Sequence, residues 1–362
     1  MKPGFRIGLI GPLPPPHGGM AVQTKLLFQL LKQEGNEVVL IPANLNFPSG
    51  FAFLSKVAFL RTIVRFLLFS HAIWRACNKV DLHHVMTNSY ASFFLVTLPV
   101  ILISKLRKIP VVVNYRGGLA KEFLNRYHLL VKPVLSHANV VVVPNVFLKS
   151  IFAEFKINTI GVPNILTFEF QNHKNAATQN GKIRLLVCRQ LEALYNIPCA
   201  LQAFRRIKQN WPNAELRIAG EGSLRRILED MVSEQNLEGV KFLGGLDASK
   251  MQNEYTTAKV MINPTNADNM PISVLEAQAS GVPVVSTNVG GIPYLIKDGE
   301  TGLLVAADDD RGIAAAVDRI LREPDLYQKI SRKAKLAVRQ YSWSNVRDKW
   351  IKVYIDVLES QR

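Results

Sequence analysis

Short apolar runs rich in β-branched residues alternate with longer segments of helical periodicity along the chain. In the first half of the sequence these runs are FRIGLIG (5–11), EVVLIP (37–42), LHHVM (82–86), VVVNY (111–115) and NVVVVP (139–144). A helix-length segment follows each run. Strands that alternate with helices in this way are typical of βαβ units, which build a parallel, doubly wound sheet.

A second series of the same kind follows a polar segment that is rich in Asn and Gln. Its apolar runs are IRLLVC (183–188), LRIAG (216–220), VKFLG (240–244), KVMIN (259–263) and VPVVST (282–287). We therefore predict an α/β protein with two Rossmann-like doubly wound parallel-sheet domains. The predicted bounds are 1–165 for the first domain, 166–181 for the linker and 182–341 for the second domain. The residues from 342 to 362 have helical periodicity, and we expect this helix to pack back on the first domain.

Positive charge is concentrated in the first half of the chain. The 362 residues include 44 Lys and Arg against 28 Asp and Glu. Before residue 170 there are 18 of the former and 6 of the latter, so most of the excess lies there. Such a field suggests an anionic partner, which could be a lipid headgroup, a nucleic acid or a phosphorylated acceptor. RNP-like aromatic motifs, zinc spacing and helix-turn-helix cues are missing, so nucleic acid is not an expected partner.

The cysteines and apolar stretches bear on the compartment. The three cysteines form no C-x-x-C or Cys/His spacing, which favours a reducing, cytoplasmic location. The first residues predict a strand rather than an export signal. Charges interrupt the apolar stretch 51–74, and 90–104 is short and contains a proline, so neither is expected to span a membrane.

A segment of the first half also has the pattern of an interfacial helix. On a helix through 52–79, four bases share one arc: Arg61, Arg65, Arg75 and Lys79. Beside this arc lie the apolar residues Phe53, Val57, Leu60, Val64 and Leu68. This arrangement predicts peripheral binding to an anionic membrane, here the inner face of the plasma membrane. The alternative is an ordinary helix that packs on the core.

Candidate ligand-binding residues lie where predicted strands end. Ligands of open parallel sheets bind at the carboxyl ends of the strands, near glycine turns and helix N-termini. Gly220 ends a strand in AGEGSLRR, and Asp268 lies in a loop before a helix that contains Glu276 eight positions later. Asp268 could accept hydrogen bonds from a sugar and Glu276 from a ribose. Alternatively, Asp268 caps the helix and Glu276 is a solvated acid.

The segment DNMPISVLEAQASGVPVVSTNVGGIPYLIKDGETGLLV (268–305) resembles the core motif of the family-4 glycosyltransferases, also described as glycosyl transferases group 1. The resemblance extends to the R-x-L-E turn at Arg189, to LRIAGEGS and to the amino-terminal IGLIGPLPPPHGG. It implies a GT-B fold, in which two Rossmann-like domains face a cleft. It also implies retaining sugar transfer of the kind used in bacterial polysaccharide and lipopolysaccharide synthesis.

The resemblance also implies roles for individual residues. Asp268 and Arg189 would be catalytic, the former contacting the transferred sugar and the latter the diphosphate. The implied donor-binding residues are Gly18, Gly19, Gly220, Asn269, Met270, Pro271 and Glu276, of which Glu276 would bind the ribose.

The chain departs from the family pattern at three places. Asp268 stands where relatives usually have glutamate, and Tyr195-Asn196 stands where they usually have Lys-Gly, which removes a positive charge from the leaving diphosphate. Relatives often have a histidine-containing loop where this chain reads NYRGGLAKEF (114–123). We hypothesise that Arg116 reaches a donor or acceptor phosphate as a third catalytic residue; the alternative is a surface arginine at a strand end. The accompanying acceptor or phosphate loop would comprise His17, Asn114, Gly117 and Gly118.

Together these features predict a retaining glycosyltransferase that moves a hexose-type sugar from a UDP or GDP donor to a glycan or lipid-linked acceptor. No metal or other cofactor is expected, because the acidic run 308–310 precedes a helix and is better explained as a helix cap. Two alternatives remain. One is a catalytically degenerate relative that acts as a binding or scaffold subunit, and the other is a nucleotide-sugar 2-epimerase.

Overall fold

The computed structural model of the chain describes residues 4–14, 18–44, 58–166 and 181–361. The chain divides into two compact units, one formed by Met1–Ile165 with Trp343–Arg362 and the other by Leu166–Ser342. Each unit contains one six-stranded parallel sheet with helices on both faces. The predicted fold class is confirmed.

The sheet of the first unit has the strand order β2-β1-β3-β4-β5-β6. Its strands are β1 (Arg6–Gly11), β2 (Glu37–Pro42), β3 (Leu82–Thr87), β4 (Val111–Tyr115), β5 (Val140–Val143) and β6 (Ile160–Gly161). The connecting helices are α1 (Gly19–Gln33), α2 (Ala58–Ala76), α3 (Leu98–Leu106), α4 (Ala120–Leu135) and α5 (Val146–Glu154). A π-helical turn, Phe93–Thr97, leads into α3.

The two faces of this sheet bury different helices. Helices α2 to α5 pack on one face around Val85, Val113 and Phe123. On the other face, α1 packs together with the last helix of the chain, α12 (Trp343–Glu359), around Leu9, Val112 and Trp350. The C-terminal helix thus belongs to the core of the first unit.

The sheet of the second unit has the strand order β12-β11-β10-β7-β8-β9. Its strands are β7 (Ile183–Cys188), β8 (Ala214–Ala219), β9 (Val240–Gly244), β10 (Val260–Asn263), β11 (Val284–Thr287) and β12 (Leu303–Val305). Its helices are α6 (Ile197–Asn210), α7 (Arg225–Glu234), α8 (Ala248–Thr257), α9 (Ile272–Ala279), α10 (Asp310–Arg322) and α11 (Pro324–Val338). The chain leaves β7 toward β8 on one side and returns as β10 on the other, which creates a topological switch point between β7 and β10.

The predicted amphipathic helix differs from the observed one. Helix α2 runs over 58–76, and the predicted residues 52–57 lie outside the described part of the chain. Val64 and Leu68 are half-buried. Phe69 and Ile73 are buried in the core, so one face of the helix packs as the core-facing alternative expected. Among the described residues, no helix has the length and apolar character needed to cross a bilayer.

Candidate functional site

Arg189 and Asp268 meet at the switch point of the second sheet. Arg189 directly follows β7, and Asp268 lies in the loop after β10. Arg189 Nη2 is 3.1 Å from Asp268 Oδ2, and both side chains are largely buried, with 9% and 18% of their surface exposed. Arg189 Nε donates to Asn263 Oδ1 at 2.6 Å. The last residue of β10 therefore fixes the guanidinium at the carboxyl edge of the sheet, where parallel α/β folds bind ligands.

Tyr195 packs against the same guanidinium. The carbon of the Arg189 guanidinium lies 5.4 Å from the centre of the Tyr195 ring, within the range of a cation–π contact. Asn196 has a φ of 48°, a left-handed conformation that glycine adopts most readily. The turn thus keeps the backbone shape that a Lys-Gly pair would give. The Tyr195 side chain packs against Arg189 but adds no second positive charge.

The backbone around Asp268 is held by close packing rather than by a helix cap. Gly291 N–H donates to the carbonyl of Asp268 at 2.8 Å, and Asn269 N–H donates to Asp268 Oδ1 at 2.7 Å. A Cβ on Gly290 would lie 2.2 Å from that carbonyl, so a glycine is required there. The residue that precedes α9 is Pro271, and no side chain caps this helix. The capping alternative for Asp268 is therefore wrong.

Only part of the loop before α9 can offer backbone amides to a donor. Pro271 has no backbone N–H, and the Asn269 amide is bonded to Asp268. The Met270 side chain is buried in an apolar cluster with Leu275. The open amides of this helix start at Ile272, because the first N–H groups of a helix have no partner within it.

The Glu276 carboxyl group is hydrogen-bonded within the protein and shielded from solvent. Tyr255 Oη donates to Glu276 Oε2 at 2.9 Å, and Tyr255 itself is fully buried on α8. Burial raises the pKa of Glu276 to about 7, although the tyrosine bond counteracts part of this shift. The Cys188 thiol also has its pKa raised to about 11, chiefly by burial and then by the charge of Glu276. Cys188 directly precedes Arg189, so Glu276 and the ion pair flank the end of the same strand.

Gly220 serves the Arg189 turn. It has a φ of 147°, and a Cβ at this position would lie 1.8 Å from the carbonyl of Arg189. A Cβ on Gly222 would lie 2.4 Å from the carbonyl oxygen of Leu191. Leu191 N–H donates to the carbonyl of Glu221 at 2.9 Å, which joins the two loops. Gly220 and Gly222 therefore pack against the loop that carries Arg189, and a contact of Gly220 with the donor stays a prediction.

In the first unit, Gly18 and Gly19 begin α1 just after β1. Gly18 is the N-cap residue, and the first turn has neither a side-chain cap nor an acidic residue. His17, which precedes them, lies outside the described residues.

Arg116 ends a chain of polar contacts that starts at the C-terminal helix. Tyr354 Oη lies 2.8 Å from His84 Nδ1, and Asn114 Nδ2 donates to His84 Nε2 at 3.0 Å. Arg116 Nε then donates to Asn114 Oδ1 at 3.1 Å. Because His84 Nε2 accepts a hydrogen bond, the proton of the neutral ring is on Nδ1, directed at Tyr354.

Burial suppresses the charges in this chain of contacts. Burial, with the nearby charge of Arg116, lowers the pKa of His84 to about 3, so the ring is neutral at physiological pH. Burial also lowers the pKa of Arg116 to about 9. Arg116 is half-buried, and its backbone N–H donates to the Thr87 carbonyl at 2.8 Å. Arg116 is thus held in place by the fold at the end of β4, and its contact with a phosphate stays a prediction.

The two glycines after Arg116 shape this loop. A Cβ on Gly117 would lie 2.9 Å from Tyr115 Oη and 3.0 Å from Ser89 N, so the glycine allows the loops after β3 and β4 to touch. Gly118 is half-buried just before α4.

The acidic run 308–310 has structural partners. Asp309 Oδ1 accepts from Gly312 N–H at 2.7 Å and caps α10. Asp308 accepts from Asn196, and Asp310 pairs with Arg206. The predicted helix-cap role of this run is confirmed.

Comparison with known proteins identifies the family of the second unit. Residues 168–337 match the family model described as glycosyl transferases group 1. Glycogen synthase of Mycobacterium tuberculosis is 29% identical over 186 residues, which cover 51% of this chain and 45% of that protein. The chain thus matches about half the length of this curated relative.

Solved structures match both units. Sucrose-phosphate synthase from Thermosynechococcus elongatus has a TM-score of 0.78 at 19% identity, with 98% of this chain and 100% of that chain covered. The HepE protein of Anabaena, in complex with UDP and glucose, has a TM-score of 0.74 at 15% identity, with 97% and 99% covered. At this level of identity the likeness establishes the fold. Residues 168–337 thus have the sequence of a glycosyl transferases group 1 module, and the two Rossmann-like units of the chain have the GT-B fold.

Proposed function

We propose that this protein is a retaining glycosyltransferase that moves a hexose-type sugar from a nucleotide-diphosphate donor to a glycan or lipid-linked acceptor. The observation that carries the proposal is the Arg189–Asp268 ion pair at the switch point, with Glu276 beside the same strand end. The proposed setting is polysaccharide or lipopolysaccharide synthesis in the cytoplasm, at the inner face of the plasma membrane.

The second unit supplies groups suited to each part of the donor. The Glu276 carboxylate can accept hydrogen bonds from the two ribose hydroxyls, and Arg189 can bind the diphosphate. One carboxylate oxygen of Asp268 accepts from the Asn269 N–H, and the other lies near Arg189. The carboxylate can also accept hydrogen bonds from the sugar. Arg189 and the open amides of α9 together offer positive potential to the leaving group, so we propose that transfer proceeds without a divalent cation.

The proposed step is a front-side displacement. The bond between the anomeric carbon and the phosphate oxygen breaks while the acceptor oxygen bonds to the same carbon on the same side. The proton of the acceptor hydroxyl moves to the departing phosphate oxygen. Charge builds on that phosphate in the transition state, and preorganised donors such as Arg189 are most effective where charge develops.

A nucleotide panel tests the donor site. We expect one of UDP, GDP or ADP, or a sugar conjugate of these, to raise the melting temperature of the protein in the presence of EDTA. UDP is the first candidate because the HepE relative binds it. A ligand at a hundred times its Kd adds about 2.7 kcal/mol to the free energy of unfolding. Glu276→Ala should lose the shift.

The matched control is Glu229→Ala. Glu229 is an exposed acid of the same unit, paired with Arg225 on α7, and its removal should leave the nucleotide shift unchanged. No shift with any nucleotide would contradict the proposal. A shift without turnover on acceptor panels would instead favour the scaffold alternative, for which Tyr195 in place of lysine is the supporting feature. Turnover of the donor sugar without any acceptor would favour the epimerase.

Arg116 is proposed to bind a phosphate of one of the two substrates. Its contact with Asn114, and through it with His84, restricts the guanidinium, and a partly buried arginine binds anions strongly. We expect Arg116→Gln to lower kcat/KM by on the order of 10²-fold. Steady-state kinetics with each substrate varied in turn will show whose KM rises.

Arg126→Gln is the control for Arg116, because Arg126 is an exposed arginine of α4 in the same unit. Unchanged turnover and unchanged Michaelis constants for Arg116→Gln would rule out the proposed role. The melting temperature of both variants should be recorded, so that a folding defect is recognised.

A further inference from the structure

Helix α2 has an exposed apolar stripe on the side away from the core. Ile63, Phe66, Leu67 and Trp74 are all exposed, and Leu67 keeps 60% of its surface in contact with solvent. At about 100° per residue these four side chains fall within one arc of about 100°. The residues that this helix buries, such as Phe69 and Ile73, lie outside that arc.

The stripe continues on the neighbouring helices. Helix α3 packs beside α2, and α4 packs beside α3, on the same face of the sheet. Leu95 is exposed in the π-helical turn before α3, and Leu102 and Leu106 are exposed on α3 itself, with Leu106 at 75%. Leu129 and Leu130 are exposed on α4. We call these nine side chains of α2, α3 with its preceding π-helical turn, and α4 the three-helix apolar face. Scattered apolar residues are normal on a protein surface, but a run of large ones across three adjacent helices indicates an interaction site.

The same helices are strongly basic. From residue 58 to residue 135 the chain has eleven Lys and Arg and two Asp and Glu. One of the two acids, Asp81, is paired with Arg6. Arg107 on the loop after α3 lies over the ring of Trp74 at 4.7 Å, so a base directly adjoins the apolar stripe.

A shallow groove of about 270 Å³ lies between α2 and β2, and it too combines apolar surface with bases. Its floor is apolar, formed by Val39 to Ile41 of β2 with Ala72 of α2. Arg75 and Lys79 line it as well. Apolar surface beside two cations suits an amphiphile with an anionic head.

We infer that the three-helix apolar face docks on an anionic phospholipid bilayer. Large apolar side chains gain by entering the interface between headgroups and acyl chains, and neighbouring bases gain from anionic headgroups. A nucleic acid would satisfy the bases but would leave the leucines in water. A protein partner would need complementary acids and an apolar groove together, whereas an anionic bilayer offers both along any face that is laid on it. This inference does not depend on the proposed sugar transfer.

Vesicle sedimentation tests the inference without donor or acceptor. We expect the protein to bind phosphatidylcholine vesicles that contain roughly a quarter phosphatidylglycerol, and to bind pure phosphatidylcholine vesicles weakly. Leu67→Asp should lower the partition coefficient by about tenfold or more, because it places a charge in the apolar stripe. Lys105→Glu with Arg107→Glu reverses two bases that adjoin the exposed leucines of α3 and Trp74. This double variant should lower the partition coefficient by about thirtyfold or more, since each base near the surface contributes about fivefold.

Two matched controls separate this face from general effects. Leu336→Asp alters a leucine of similar exposure, 54%, on α11 of the other unit. Lys349→Glu with Lys352→Glu makes the same charge change on exposed positions of α12, on the opposite face of the same sheet. Both controls should retain vesicle binding. Circular dichroism and the melting temperature will verify that all variants are folded.

Several outcomes would overturn the inference. Equal loss of binding in the α12 control would show that net charge alone is responsible. Full binding by Leu67→Asp would show that the apolar stripe does not enter the bilayer. If the protein does not bind the anionic vesicles but binds single- or double-stranded DNA tightly, the basic face would instead be a nucleic-acid site.

Discussion

Arg189→Ala is expected to lower kcat/KM for sugar transfer by on the order of 10²–10³-fold. Three groups hold the Arg189 guanidinium at the switch point: the Asp268 carboxylate, the Asn263 side chain and the ring of Tyr195. Because Tyr195 stands where relatives usually have lysine, less of the charge on the leaving phosphate can be shared with another group. Steady-state kinetics with a saturating acceptor measures the effect.

The variant series for Arg189 separates chemistry from folding. Arg189→Lys keeps the charge but not the planar fork that bonds both Asn263 and Asp268, so it should recover only part of the activity. Arg206→Ala removes an exposed arginine of the same unit, paired with Asp310, and should leave kcat/KM unchanged. If Arg189→Ala retains full activity at an unchanged melting temperature, the leaving-group role assigned to Arg189 is wrong.

The strands were the most predictable part of the fold. All ten strands predicted from runs of β-branched residues are present, because buried parallel strands need nearly continuous apolar sequence. The two-residue strand β6 is too short to leave such a pattern. The surface of α2 was less predictable. Periodicity indicated a basic amphipathic helix, but large apolar residues occur on most of its sides, and packing decides which of them the core covers.

The sequence identified the functional groups but not all of their contacts. Asp268 and Glu276 were found from their spacing before and within a helix. The Arg189–Asp268 pair joins two residues 79 positions apart in the chain, and no local pattern connects them. Tyr255, which bonds Glu276, lies on another helix and belongs to no motif. Asn263 could have been suspected, since a polar residue that ends a buried strand lies at the ligand-binding edge of the sheet.

The chain of contacts from Tyr354 to Arg116 shows the same limit. The sequence indicated Arg116 as a phosphate ligand but no link between this residue and His84. The link exists because Arg116 directly follows β4, two positions after Asn114 and on the same side of the chain, while α12 returns from the far end of the sequence. Such a contact depends on the tertiary fold of both segments.

Nucleoside-diphosphate binding is expected to tighten as the pH rises through about 7, and Glu276→Gln should remove this dependence. Burial raises the pKa of Glu276 from its ordinary value of 4.5 to about 7, so the Glu276 carboxyl group is protonated in about half of the ligand-free molecules at neutral pH. Ribose hydroxyls bind the ionised carboxylate best, so the bound form has the lower pKa. Below pH 7 the proton must leave on binding, and Kd rises by up to about tenfold per pH unit.

Calorimetric titration of UDP between about pH 6 and about pH 8 measures this dependence. The ligand's own phosphate also titrates in this range, but that contribution is common to wild type and Glu276→Gln, so the difference between them reports Glu276. Glu229→Gln, at an exposed acid of the same unit, should behave as wild type. An identical pH dependence in wild type and Glu276→Gln would show that this carboxylate does not contact the nucleotide.

The same raised pKa has an opposite effect on the folded protein without ligand. Between about pH 4.5 and about 7, folded Glu276 binds more protons than the unfolded chain does, so its contribution makes the free energy of unfolding fall as the pH rises. Glu276→Gln removes this slope. We therefore expect wild type to become less stable and to bind the nucleotide more tightly over the same pH range, and Glu276→Gln to lose both trends. This result would indicate that the ligand's hydroxyl groups offset the free-energy cost of burying the Glu276 carboxylate at the end of β7.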